Sequence, residues 1–206
     1  MFAVTEPTDH VTADASTIKA TLRRDALAAR DALSVVERRA GAEALAAFAD
    51  DLGAAAGTVV AGYLPIRSEI DPRPLMAALS ARGAILALPA VRDDGLTLEF
   101  RHWRFGGALE SAAFGLSVPP PGTDLVDPVL ILMPLAAFDA AGRRIGWGKG
   151  HYDRALEGLE ATGPRRKIGL AFAVQQVDRV PDAAHDRRLD LVLTERGPVR
   201  PKDFPS

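Results

Sequence analysis

The chain of 206 residues is about one domain long, and at 48% hydrophobic it can bury a sizeable core. Its 25 cationic and 27 anionic side chains leave a net charge of −2, which argues against a whole-protein basic footprint for nucleic acid. The lack of cysteine excludes disulfides, thiolate zinc sites and thiol nucleophiles. Residues 1–16 carry acids and no apolar stretch, so they read as a flexible N-terminal tail rather than a signal peptide. Ser16 or Thr17 can cap a first helix running to about Leu33, because Ile18, Leu22, Ala26, Ala29 and Leu33 make one apolar stripe. Ser34-Val35-Val36-Glu37 has the spacing of a capping box and opens a second, alanine-rich helix ending near Gly53 or Gly57.

After Gly57 the texture changes to short apolar runs separated by turns. Thr58–Leu64 and Ala84–Leu88 read as buried strands, with a loop over Pro65–Pro74 and a helix over Leu75–Ala81 between them. The apolar run Leu75–Val91 is interrupted by Arg82 and Gly83 and is shorter than the roughly 20 residues of a membrane span. Leu96–Trp103 alternates as an edge strand does, and Trp103 and Phe105 are expected to pack. The proline- and glycine-rich Val118–Pro128 reads as a loop. Val129–Met133 (VLILM) is the strongest buried strand. A glycine loop, a helix over His151–Leu159, and strands at Ile168–Ala173 and Leu189–Thr194 complete the pattern. Continuous apolar strands interleaved with helices predict one α/β domain over 17–197: three α/β/α layers around a mostly parallel central sheet, Rossmann-like, with 198–206 as a C-terminal tail. A cytoplasmic protein, monomeric or weakly homo-oligomeric, with no membrane or nucleic-acid partner, is the expectation.

The stretch Gly142–Arg154 (GRRIGWGKGHYDR) lies between a buried strand and a helix, where doubly wound folds place ligands. Gly146, Gly148 and Gly150 alternate, so the backbone can offer N–H groups to anionic oxygens, and Arg143, Arg144 and Lys149 add charge. Lys149 is one of only four lysines, with Lys19, Lys167 and Lys202. A Walker loop needs glycine where Arg143 stands and Ser or Thr after Lys149, and the spacing is not that of a dinucleotide fingerprint. By itself the stretch is either an anion cradle or an ordinary strand-to-helix turn. Lys19 and Arg23 stack four apart on one helical face, fit either for an anion or for a solvated cationic surface. Asp153 opens a helix, where the dipole alone favours a carboxylate. The four histidines, at positions 10, 102, 151 and 185, form no cluster.

Four segments in order resemble the 5-formyltetrahydrofolate cyclo-ligase family, also called methenyltetrahydrofolate synthetase. They are Lys19-x-x-x-Arg23; Tyr63-Leu64-x-x-x-x-Glu69-Ile70; Pro134-Leu135-Ala136-Ala137-Phe138-Asp139 followed by Arg144 to Asp153; and Gly169–Phe172 followed by His185-Asp186-x-x-Leu189-Asp190-x-Val192-x-Thr194-Glu195. His151 and Trp147 depart from the residues many members carry. The resemblance implies ATP- and Mg²⁺-dependent cyclisation of 5-formyltetrahydrofolate to 5,10-methenyltetrahydrofolate, with ADP and phosphate released. It implies that ATP meets Lys19, Arg23, Arg144, Ile145, Gly146, Trp147, Gly148, Lys149, Gly150, His151 and Tyr152, with Arg144, Lys149 and Tyr152 catalytic. It places folate against Leu64, Glu69, Trp147, Gly148, Lys149, Gly150 and His151, and Mg²⁺ between Asp153 and Asp190. His185 and Asp186 receive no chemical step. The alternative is a non-catalytic relative that binds folate, nucleotide or RNA.

Overall fold

The computed structural model describes residues 9–112, 117–148, 150–182 and 186–201. Lys149 and His185, both singled out in the sequence, lie outside them. The sheet has seven strands: β1 (Val59–Ala61), β2 (Ile85–Val91), β3 (Leu98–His102), β6 (Leu130–Pro134), β9 (Arg166–Leu170), β10 (Leu191–Thr194) and β11 (Gly197–Val199), in the order β11-β10-β9-β6-β1-β2-β3. The five inner strands are mutually parallel, and the two edges are antiparallel. Two small ribbons, β4 (Glu110–Ser111) with β5 (Ser117–Val118) and β7 (Ala137–Phe138) with β8 (Arg144–Ile145), stand apart from it. No helix among the described residues is long and apolar enough to cross a membrane.

Both faces of the sheet are covered, as the continuous apolar strands require. Leu130 and Leu132 of β6 join Val60, Leu86, Ile168 and Leu191 under helices α2 (Val35–Leu45) and α3 (Arg73–Ala81). Ile131 and Met133 point the other way, onto Ala155 and Leu156 of α4 (His151–Glu160). The alternation in VLILM therefore fills two cores, with period two along one strand.

Several boundaries move. The first helix, α1, spans Asp9–Asp31, so residues 9–16 of the expected tail are helical. Nothing from Asp9 to Ser16 breaks a helix, alanines favour one, and Asp9 suits its positive end. Helix α2 ends at Leu45 and continues as two 3₁₀ turns to Gly53, at φ 61°. Its predicted capping box is present, with Glu37 N–H donating to Ser34 Oγ at 3.2 Å and Ser34 N–H to Glu37 Oε2 at 2.8 Å. β1 is only three residues long, since Gly62 packs so closely on Met76 that a Cβ would lie 2.4 Å from its sulfur. The expected C-terminal tail begins inside β11. Pro198 is tolerated there because an edge strand can spare an N–H, and Val199 pairs with Val192. Trp103 is buried as expected, whereas Phe105 is 50% exposed.

Helix α3 follows β1 on one face of the sheet, and α4 follows β6 on the other. The adjacent strands β1 and β6 thus send their connections to opposite sides, which opens a crevice beyond their carboxyl ends.

Candidate functional site

That crevice is a cleft of about 1370 Å³, floored by Met133 and Pro134 from the end of β6. The segment after β1 supplies Leu64, Arg67 and Glu69, α1 supplies Lys19 and Arg23, and the glycine loop forms the facing wall. Helix α1 reaches the site because Ala26 packs on Ala136, Ala137 and Ile145 of the β7–β8 corner.

Asp139 holds that corner. It is fully buried and accepts from the N–H groups of Ala141 (2.9 Å), Arg143 (3.1 Å) and Val180 (2.8 Å) and from Arg143 Nε (2.7 Å). The strand β8 then delivers Arg144 and Ile145 into the cleft. Gly148 and Gly150 sit at φ 89° and 66°, a left-handed backbone that side-chain-bearing residues resist. Gly150 caps α4, whose first turn (His151, Tyr152, Asp153) lines the cleft with its positive helix end.

Two ion pairs face each other across this wall. Arg144 Nη2 lies 2.5 Å from Asp153 Oδ1, while its other hand donates to the Arg187 carbonyl. Lys19 Nζ lies 2.5 Å from Asp186 Oδ2. Arg23 spends its Nε on the Gly146 carbonyl at 2.8 Å and so anchors the loop. Three stretches of chain, α1, residues 144–153 and the segment at Asp186, thereby contribute alternating charge to one surface.

Asp190, expected beside Asp153, is elsewhere. It is not among the described residues lining the cleft. Its Oδ2 accepts from Lys167 N–H at 2.6 Å, and its own N–H donates to the Lys167 carbonyl, where β9 and β10 begin. Residues that begin parallel strands lie at the end of the sheet opposite the cleft. The cleft's carboxylates are Glu69, Asp153, Glu157 and Asp186, and of these Asp186, which the sequence left without a role, is the one that like Asp153 pairs with a cation of the wall. The signal was the polarity of β10: the acid directly before a strand faces the wrong end, and one four residues earlier can return.

Glu69 is not an exposed loop acid. It is 7% exposed, accepts Trp147 Nε1 on Oε1 at 2.7 Å and Ile66 N–H on Oε2 at 3.0 Å, and burial pushes its pKa up against those two hydrogen bonds. Burial also pushes the Tyr152 phenol well up, helped by the Glu69 charge, so the phenol keeps its proton. The glycine-loop residues predicted for ATP and folate line the cleft, Lys149 lying outside the described residues. Among the described residues no three histidines or acids cluster in the manner of a metal cage.

A family model described as the 5-formyltetrahydrofolate cyclo-ligase family matches residues 15–195. A 5-formyltetrahydrofolate cyclo-ligase of Mycolicibacterium smegmatis is 33% identical over 185 residues, 86% of this chain and 94% of that protein. The enzyme of that name from Escherichia coli is 30% identical over 144 residues, 66% of this chain and 76% of its own. The solved structure of Aquifex aeolicus 5,10-methenyltetrahydrofolate synthetase superposes with a TM-score of 0.72 at 30% identity, covering 92% of this chain and 95% of that one. For the 5,10-methenyltetrahydrofolate synthetase of Mycoplasma pneumoniae the TM-score is 0.68 at 26% identity, with 86% and 98% covered.

Proposed function

We propose that this chain, which belongs to the 5-formyltetrahydrofolate cyclo-ligase family, uses its cleft to spend ATP on closing 5-formyltetrahydrofolate into 5,10-methenyltetrahydrofolate. A formamide carbon is a poor electrophile and its oxygen a poor leaving group. Moving the γ-phosphoryl group from ATP to the formyl oxygen forms one P–O bond, breaks another with ADP leaving, and corrects both defects. N10 then attacks the formyl carbon, its proton passes to solvent, and the C–O bond breaks with the electron pair leaving on phosphate. Such a transfer asks mainly for alignment and neutralised charge.

The observation that carries this reading is the pair of ion pairs, Lys19–Asp186 and Arg144–Asp153, facing one crevice. Lys19 and Arg144 each rest on a carboxylate. Nucleotide phosphates would draw Lys19, Arg23 and Arg144 onto their oxygens, with the α4 N-terminus and the glycine-loop amides beside them. Tyr152 would donate to the same region. Asp153 and Asp186, released from their cations, would hold Mg²⁺. Two carboxylates fit that ion, which takes one or two of them and fills its remaining positions with phosphate oxygens and waters. When bound, it would neutralise charge building on the transferring group. Glu69 and Leu64, deeper along the segment after β1, would take the pterin.

The test is the methenyl-folate absorbance, which should rise only when protein, ATP, Mg²⁺ and 5-formyltetrahydrofolate are all present. Binding of both ligands without that product would sink the reading. Asp186→Asn is expected to raise the Mg²⁺ concentration for half-maximal rate about tenfold or more, and Asp190→Asn to leave it unchanged. Titrating Mg²⁺ against initial rates checks both, and the reverse pattern would return the metal to Asp190. Acidity gives a further check. The raised pKa of Glu69 means it takes up its proton at a higher pH than an ordinary carboxyl, and the neutral acid is a poorer acceptor. The KM for 5-formyltetrahydrofolate should therefore climb as the pH falls, starting above the usual carboxylate range. In Glu69→Gln the KM should start high and stay flat over the same interval; a wild-type profile without the climb would remove Glu69 from the folate site.

A further inference from the structure

The indole of Trp147 is held as a ligand is held. Its N–H donates to Glu69 Oε1 at 2.7 Å, and two guanidiniums lie over its ring, Arg30 at 5.4 Å and Arg67 at 5.5 Å from the centroid. Arg67 does so from φ 55°, the one positive φ outside glycine among the described residues. Such backbone strain persists only where the surroundings enforce it. Arg30 is 1% exposed. Its Nε donates to Ser68 Oγ at 3.0 Å and lies 3.9 Å from Asp31 Oδ1, yet its Nη1 has no hydrogen-bond partner among the described residues. A buried cationic donor left unpaired is costly, and its persistence calls for a partner that arrives later.

The pterin ring has the chemistry to be that partner. Like indole it is a flat bicycle with a ring N–H, but beside that N–H it carries a 2-amino donor on one side and a 4-oxo acceptor on the other. Indole satisfies Glu69 with one donor and offers Arg30 its ring face but no acceptor for Nη1. We propose that Trp147 keeps the place of the pterin ring, and that the pocket it vacates reads a 2-amino-4-oxo edge, with Glu69 accepting from the two donors and Arg30 Nη1 donating to the 4-oxo oxygen. Arg30 is thus a specificity-determining residue, covered until Trp147 swings out, which explains why it is close to Glu69 electrostatically yet absent from the cleft wall. The inference rests on the placement of pterin at Glu69 proposed above.

Binding is measured without ATP, for 5-formyltetrahydrofolate and for its 4-amino-4-deoxy analogue, whose 4-position donates instead of accepting and whose N3 has lost the proton that Glu69 accepts. The wild type should prefer the 4-oxo ligand about 10- to 100-fold, the range expected of a charged hydrogen bond. Arg30→Met should cut the ratio of the two dissociation constants about tenfold or more, leaving the part that Glu69 reads at N3, and Arg30→Lys should lose less. Trp147→Ala should tighten 5-formyltetrahydrofolate binding about 3- to 10-fold, because the competing indole is gone. Trp147→Phe, which keeps the ring but cannot donate to Glu69, should act in the same direction. Arg30→Met weakening both ligands equally, or both Trp147 variants weakening binding, would overturn the proposal. Glu69→Gln separates this from the parent reading. If it binds both ligands as the wild type does, pterin does not sit at Glu69 at all; if it loses both while Arg30→Met keeps the 4-oxo preference in full, only the reading of Arg30 and Trp147 fails.

Discussion

Arg144→Ala is expected to lower kcat about 100- to 1,000-fold while leaving the KM for 5-formyltetrahydrofolate nearly unchanged. The side chain is buried against the wall and anchored there by its contact with the Arg187 carbonyl, so the hand drawn off Asp153 can turn to a developing charge without the whole side chain moving. Its loss also frees Asp153 from the geometry that aims it into the cleft. Lysine at 144 keeps the charge but cannot reach two partners in one plane, so Arg144→Lys should recover about tenfold of the loss at most. Steady-state kinetics with each substrate varied in turn decide the matter. A rise confined to the KM for ATP, with kcat preserved, would make Arg144 a ground-state binder with no special hold on the transition state.

Asp139→Ala is expected to be the costliest stability change, about 3–5 kcal/mol in urea unfolding, as for breaking one side of a buried ion pair. Three amides and the Arg143 guanidinium all terminate on this one carboxylate. Alanine leaves them in the interior without an acceptor. Because the carboxylate ties the β7–β8 corner to the backbone at Val180, the glycine loop should loosen with it, and the KM for ATP should rise even at temperatures where the variant stays folded. A loss below about 1 kcal/mol would mean that water replaces the carboxylate and the corner is not what holds the loop.

The sheet was legible because its strands say in their residues what covers them. VLILM has no polar side, so both faces must be buried, and the structure divides its residues between two cores. The capping box at Ser34 was legible for a similar reason, being closed within four residues. What composition could not carry was the meeting of segments remote in sequence. Glu69 and Trp147 are 78 positions apart, and nothing local in either loop marks them as partners. The choice between Asp186 and Asp190 was open to reasoning, since strand direction alone puts Asp190 at the far end. Periodicity failed at the first helix for a physical reason: its opening turns lack the apolar stripe that marked the remainder, and helical propensity without amphipathicity leaves little pattern to read.

The contact between Lys19 and Asp186 closes a span of 167 residues, and α1 rests on elements that follow β6. On the ribosome, the helix that brings the first cations is made well before the surface it docks on and the acid that answers it. A nascent chain stalled just before residue 186 therefore has the surface that α1 docks on but not the acid that answers Lys19, and its cleft is incomplete. The cleft is completed only when residues 167 positions apart have both been made, and α1 waits for the β7–β8 corner before it finds its seat.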